Sequence, residues 1–183
     1  MLGNVINLMN RFEFQRMCVA NTSGIVLNIG SKEDPARLKE LNPKTLNCDI
    51  STWDSDYKQN IPIDVVFDCR EMWPFKDDAA ELVVMGDILE HLYNSEALSA
   101  LSEAARVANK LCITVPMSAN SHRLQGGAEL WERPDGSRGH CTDWGIDNMT
   151  DILNEAGWLI TELHIVDGVV VPEGLLVRAE RNA

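Results

Sequence analysis

Apolar positions along this chain fall into two alternating patterns. The first is a set of short, nearly unbroken apolar runs at 25–29 (IVLNI), 45–50 (TLNCDI), 63–67 (IDVVF), 81–85 (ELVVM) and 111–115 (LCITV). Their length and two-sided apolarity predict strands buried on both faces, as in a parallel sheet. The second is helical spacing between those runs. Residues 3–19 place Val5, Leu8, Phe12 and then Gln15 to Met17 on one side of a helix that covers the core's edge or lies over a ligand. A short helical segment occupies 31–41, with Pro35 in its first turn. Ser95 caps a helix over 96–108 that turns Leu98, Leu101, Ala105 and Val107 inward. Another helix starts at Asp143 or Trp144 and stops at Gly157. Two last strands, 158–165 and 175–179, are separated only by a turn-rich link, so they pair antiparallel.

Alternation of strand and helix predicts an α/β domain built on a doubly wound, mostly parallel sheet with its last strand antiparallel. The chain reads as one domain over 1–183, with an N-terminal cap helix in 1–20 and a long polar insertion at 117–142. The polar stretch 51–62 reads as a loop.

Composition narrows the partners. Hydrophobic residues make up 45% of the chain, enough for a core that needs no disulfide or metal. A formal net charge of −12 argues against nucleic acid as the main partner, because phosphate binding needs a basic face. Cys18, Cys48, Cys69, Cys112 and Cys141 are dispersed and form no CxxC, which reads as free thiols in a reducing cytoplasm. The histidines show no metal-ligand spacing, so no metal is expected. No apolar run is long enough to span a bilayer, and no signal peptide is recognisable, so no membrane partner is expected.

In an open α/β sheet, ligands bind beyond the carboxyl ends of the strands. Those ends carry Asn28, Gly30 and Ser31, then Asp49, Asp68, and Gly86-Asp87. Gly30 permits a tight turn and a close backbone approach. Asp49 comes after it at about the 20-residue distance at which a carboxylate receives a ribose diol. Asp68 is placed either to accept from an exocyclic amine or to cap a turn. The turn Gly30-Ser31-Lys32-Glu33-Asp34-Pro35 lacks the GxGxxG that seats a pyrophosphate, and two carboxylates there would repel one.

The runs VLNIGS, LNCDI, DVVFDCREMWPFKDDAAELVVMGDILEHL and ALSEAARVANKLCITVP, with the later RGHCTDW and DILNEAGW, resemble class I S-adenosylmethionine-dependent methyltransferases, in particular the small methyltransferase type 11 kind. The resemblance spans roughly residues 24 to 165. It implies a Rossmann-like methyltransferase fold of seven strands, ordered 3-2-1-4-5-7-6, and S-adenosyl-L-methionine as cofactor. It also implies that Asn28, Gly30 and Ser31 line the methionine and ribose side, and that Asp49 holds the ribose hydroxyls. Asp68 and the backbone of Cys69 would meet the adenine, and Gly86 and Asp87 the methionine part and sulfonium. Three positions depart from the family pattern. Asn28 replaces an acidic residue, Lys32 a second glycine, and Ala108-Asn109-Lys110 a Pro-Gly-Gly turn. The first two motivate an alternative, a methyltransferase-fold binding or assembly module without catalysis.

The acceptor side is less legible. A general base is needed only where the acceptor must lose a proton, and histidine is suited to that at neutral pH. His140, at the end of the insertion, is the first candidate, against the reading of a solvated loop residue. His91 is the second, against a structural role at a helix start where Asp87 and Glu90 have capping-box spacing. His122 and Arg123, with Trp131, Glu132, Arg133 and Arg138, make the insertion mixed in charge and suited to a small-molecule, sugar-like or surface-displayed acceptor. Trp73 reads as core or as a stacking platform.

Overall fold

A computed structural model describes residues 10–31, 35–54, 59–116, 139–166 and 174–182. Helix α1 (Arg11–Ala20) leads into β1 (Val26–Ile29), α2 (Pro35–Leu41) and β2 (Thr45–Asp49). A two-stranded hairpin of β3 (Trp53–Asp54) and β4 (Gln59–Asn60) comes next, then β5 (Val65–Val66) and β6 (Leu82–Gly86). A single 3₁₀ turn at Leu89–His91 precedes α3 (Asn94–Val107), β7 (Lys110–Pro116), α4 (Ile146–Glu155), β8 (Trp158–Val166) and β9 (Gly174–Arg181).

The main sheet has the order β5-β2-β1-β6-β7-β9-β8. Strands β5, β2, β1, β6 and β7 pair parallel, whereas β9 runs antiparallel to both β7 and β8. The expected doubly wound sheet with an antiparallel last strand is therefore the one observed. The order reverses direction at β1 and β6, and it is there that an open α/β sheet forms its crevice.

Each central strand sends alternate side chains to opposite faces, because the pleat has period two. On one face Leu27, Ile29, Val83, Met85, Leu111, Ile113 and Val177 meet Ala97, Ala100, Leu101 and Ala104 of α3 and Met149 and Leu153 of α4. The alanine stripe of α3 lets that helix approach the sheet closely. On the other face Val26, Leu82, Val84, Cys112 and Leu176 meet Phe14, Cys18 and Val19 of α1 and Leu38 of α2.

The connection from β5 to β6 contains no helix. It is tied down from α3 instead. The Trp73 amide donates to Glu103 Oε2 at 2.7 Å, and the Arg106 guanidinium donates to the Phe75 carbonyl at 2.8 Å and the Trp73 carbonyl at 3.2 Å. Trp73 is a core residue, 2% exposed, with its indole N–H donating to the Cys69 carbonyl and its ring against Phe67.

Several sequence expectations are corrected. The buried stripe of α1 is Phe14, Gln15, Cys18 and Val19, with Phe12 to one side, because the helix starts at an Asn10 capping box and its phase is set there. Ser95 lies inside α3, whose cap is Tyr93. The run 63–67 gives only a two-residue strand, and 51–62 contains the β3–β4 hairpin. The capping-box spacing of Asp87 and Glu90 does not coincide with the start of the 3₁₀ turn. Asp87 has φ of 51°, and the residue preceding the 3₁₀ turn is Ile88, which makes no side-chain cap. The cap-helix reading of residues 1–9 and the insertion reading of 117–138, including His122, Arg123, Trp131, Glu132, Arg133 and Arg138, lie outside the described residues. No helix among the described residues is long and apolar enough to cross a membrane.

Candidate functional site

The crevice is built from the segments that leave the carboxyl ends of β1, β2, β5 and β6. After β1 the chain turns at Gly30, with φ of +72°, a conformation strained for any residue with a Cβ. The Gly30 and Ser31 amides both donate to the Cys48 carbonyl, at 2.9 and 3.2 Å, which locks this turn beside Asp49. A Cβ on Gly30 would lie 2.9 Å from Ile88 Cδ1, so the turn after β1 also touches the segment after β6. The fold thereby places Gly30, Ser31, Asp49, Gly86 and Asp87 together at the carboxyl ends of the adjacent strands β2, β1 and β6.

Each residue has its own surroundings. Asn28 is buried at 4% exposure and its amide donates to Asn47 Oδ1 at 3.1 Å, strand to strand. Ser31 Oγ is buried and has no hydrogen-bond partner among the described residues. Leaving a hydroxyl so enclosed is costly unless something else bonds it. Asp49 closes β2 at 6% exposure, with Ser51 N–H 3.4 Å from its Oδ1. Asp68 is engaged by Arg70, whose Nε and Nη2 reach its two oxygens at 2.8 to 2.9 Å and 2.5 Å, while the Arg70 amide donates to Oδ1 at 3.0 Å. Cys69 is next in the chain, its thiol pushed up to about 12, chiefly by burial and then by the Asp68 carboxylate.

The opposite wall comes from α1, β6 and β7. Gln15 lies so close over Gly86 that a Cβ there would be 2.2 Å from its Nε2. The same Nε2 donates to Thr114 Oγ1 at 2.8 Å. Asp87 receives Arg11 Nη1 at 2.8 Å on Oδ2, and its amide donates to the Thr114 carbonyl at 2.8 Å. Sequence reasoning misses Arg11, Gln15 and Thr114. The signal available is an amphipathic helix with a glutamine inside its apolar stripe, which its N-terminal phase turns toward the strand ends.

Beyond Asp87, the 3₁₀ turn carries Glu90 and His91. The segment from Gly139 returns onto it. The amides of Cys141 and Thr142 donate to the Glu90 carbonyl at 2.6 and 3.2 Å, and Thr142 Oγ1 donates to the Leu92 carbonyl at 2.6 Å. This brings His140 against His91, with ring centroids 4.4 Å apart at 75°. The two candidate histidines of the sequence are thus neighbours in space.

No protein-family model matches the chain, and no curated protein matches it in sequence. Solved structures do match in fold. The chain is similar to 1,6-didemethyltoxoflavin-N1-methyltransferase of Burkholderia thailandensis, solved with 1,6-didemethyltoxoflavin and S-adenosylhomocysteine, at 12% identity and a TM-score of 0.66, covering 96% of this chain and 80% of that one. It is similar to magnesium protoporphyrin IX methyltransferase of Synechocystis, solved with S-adenosylhomocysteine, at 17% identity and a TM-score of 0.62, covering 98% and 90%. It is also similar to the N-methyltransferase NodS of Bradyrhizobium japonicum, at 15% identity and a TM-score of 0.62, covering 94% of each chain. The strand order, the antiparallel β9 and these likenesses agree on one conclusion: the chain has the Rossmann-like fold of class I S-adenosylmethionine-dependent methyltransferases.

Proposed function

We propose that this protein is an S-adenosylmethionine-dependent methyltransferase acting on a small-molecule or surface-displayed acceptor. The observation that carries the reading is the convergence of Gly30, Ser31, Asp49, Gly86 and Asp87 at the point where the strand order reverses. The buried Ser31 hydroxyl, with no hydrogen-bond partner among the described residues, supports a polar ligand there. Bound at this point, the cofactor supplies a methyl group on an electrophilic sulfonium.

The chain's own residues divide the rest of the task. Asp49 accepts both hydroxyl protons of a ribose. The Gly30 turn allows the nucleoside to lie against backbone. Asp87 and Arg11 form a charge pair that matches the ammonium and carboxylate of a methionine group. Asp68, held by Arg70, shapes the base end more than it bonds there. Rate comes largely from alignment, since an in-line displacement needs nucleophile and methyl held close. His91 and His140 stand on the acceptor side, where an imidazole accepts a proton from an O–H or N–H acceptor.

Calorimetric titration with S-adenosylmethionine and S-adenosylhomocysteine tests the cofactor reading, and the absence of binding at millimolar ligand would overturn it. A second reading, a binding module without turnover, is favoured by the engagement of Asn28 with Asn47 and of Asp68 with Arg70. Tight cofactor binding with no methyl transfer across a broad acceptor panel distinguishes it.

A further inference from the structure

We propose that Glu90, His91 and His140 form a binding site for a divalent transition-metal ion. One ligand atom from each side chain can be chosen so that all lie within 4.8 Å of one another. An ion with bonds of about 2.0 to 2.2 Å holds its ligand atoms roughly 3 to 4 Å apart, so small side-chain rotations close the shell.

The donor set selects the ion. Two imidazoles and one carboxylate suit zinc, manganese, iron or nickel, whereas calcium and magnesium prefer oxygen alone. Three protein ligands leave positions open for water or a substrate atom. The frame is built without any help from the ion. Glu90 and His91 are fixed by the 3₁₀ turn, and His140 is delivered by the Cys141, Thr142 and Leu92 hydrogen bonds. The sequence hides the cluster, because His91 and His140 are far apart in the chain and show no ligand spacing.

Glu90 and His91 follow Asp87 by three and four residues, so the cluster adjoins the carboxyl end of β6. An oxygen or nitrogen of the acceptor that coordinated the ion would be positioned and would lose its proton more readily. In that state the imidazoles act by holding the ion. Metal binding itself does not depend on the cofactor reading and is measured without the cofactor.

The test is titration of the metal-free full chain with Zn²⁺ by calorimetry and with Co²⁺ by visible absorption. One ion per chain is expected, with ligand-field bands for Co²⁺. His91→Asn and His140→Asn, chosen to keep side-chain polarity, should each weaken binding by more than about tenfold while circular dichroism remains that of the parent. Glu162→Gln with His164→Ala, which removes an exposed Glu–His pair elsewhere, should leave the affinity unchanged. Absence of stoichiometric binding by the parent chain overturns the proposal. So does unchanged affinity in folded His140→Asn, or loss on Cys141→Ser with retention in His140→Asn, which would move the metal to a thiol.

Discussion

Arg11 and Asp87 meet across the crevice, with Nη1 2.8 Å from Oδ2, joining the first turn of α1 to the end of β6. Asp87 has a φ of 51°, a region few residues other than glycine occupy. Under the proposed function this ion pair is a receptor for a zwitterion. Arg11→Ala should therefore weaken S-adenosylmethionine binding several-fold at low salt, with a smaller difference at high salt, since Arg11 is solvent-exposed. Calorimetry at two ionic strengths measures this, and an affinity indifferent to the substitution removes Arg11 from the site.

Asp49 and Asp68 should respond differently to truncation. Asp49 is enclosed at the end of β2, whereas Asp68 already has a guanidinium on both oxygens. Loss of a charged group that bonds a ligand costs about 1.5 to 3 kcal/mol, or roughly 10- to 100-fold in affinity. Asp49→Ala should show that loss, and Asp68→Ala clearly less. Equal losses in the two variants would overturn the assignment of the ribose end to Asp49.

Gly86 should tolerate no side chain. Its missing Cβ is what admits Gln15, so Gly86→Ala pushes α1 away from β6 and breaks the Gln15–Thr114 hydrogen bond. Overpacking of this sort costs typically about 1 to 3 kcal/mol. Chemical denaturation should show that loss for Gly86→Ala and recover part of it in Gly86→Ala with Gln15→Ala. The absence of recovery would place the strain elsewhere.

Cys18 should ionise before its neighbour Cys112. A hydrogen bond with Cys112 lowers its pKa, burial opposes this, and the Arg178 guanidinium, with Nε 3.1 Å from its Sγ, lowers it further. Cys112, fully enclosed, is pushed up chiefly by burial. A thiol depressed in the fold stabilises the fold fully above its unfolded pKa, and that contribution is lost as pH falls through the folded value. Peptide mapping after brief alkylation should find Cys18 modified at a lower pH than Cys112, and Arg178→Gln should narrow the gap. Faster modification of Cys112 would contradict the arrangement.

Carboxylates give the acid limit. Glu103 is held below its usual range by the Arg106 side chain, and Glu81 by Lys110 and then the Gly24 amide. Their contribution is complete above the unfolded carboxylate pKa and is lost as pH falls through the folded values. Glu103→Gln should make stability less steeply dependent on pH below about 4.5 in denaturant titrations. An unchanged slope would show that this clamp on the 68–80 link adds nothing.

The strands are legible in the sequence because they obey one rule. Runs such as 25–29 and 111–115 are apolar on both sides and end in glycine or proline, so their limits fall within a residue or two of those observed. The antiparallel ending is legible because the sequence between 165 and 175 is turn-rich and too short for a crossover helix. The carboxyl end of the sheet is marked in the same way, since Gly30, Asp49 and Gly86 are polar or small breaks at strand ends. The features that escape the sequence depend on distance. The phase of α1 is fixed by an Asn10 cap, and the choice of Phe14 over Phe12 comes from tertiary packing. Asp68 looks available because sequence does not show which way Arg70 folds back. His91 and His140 meet only through hydrogen bonds between backbone segments remote in sequence.

The sheet is lopsided. At one edge β8 and β9 are ladders of nine and eight residues, while β5 at the other edge contributes two. The thin edge is the one that borders the expected base end. Amide hydrogens there should exchange fastest with solvent, because local opening there breaks few ladder bonds. A ligand lying across β1, β2 and β5 would act as the missing lateral brace. Occupancy would then slow exchange mainly in Asp49 to Asp68 and leave the thick edge unchanged. In such a molecule, ligand binding and the completion of the fold at that edge are a single event.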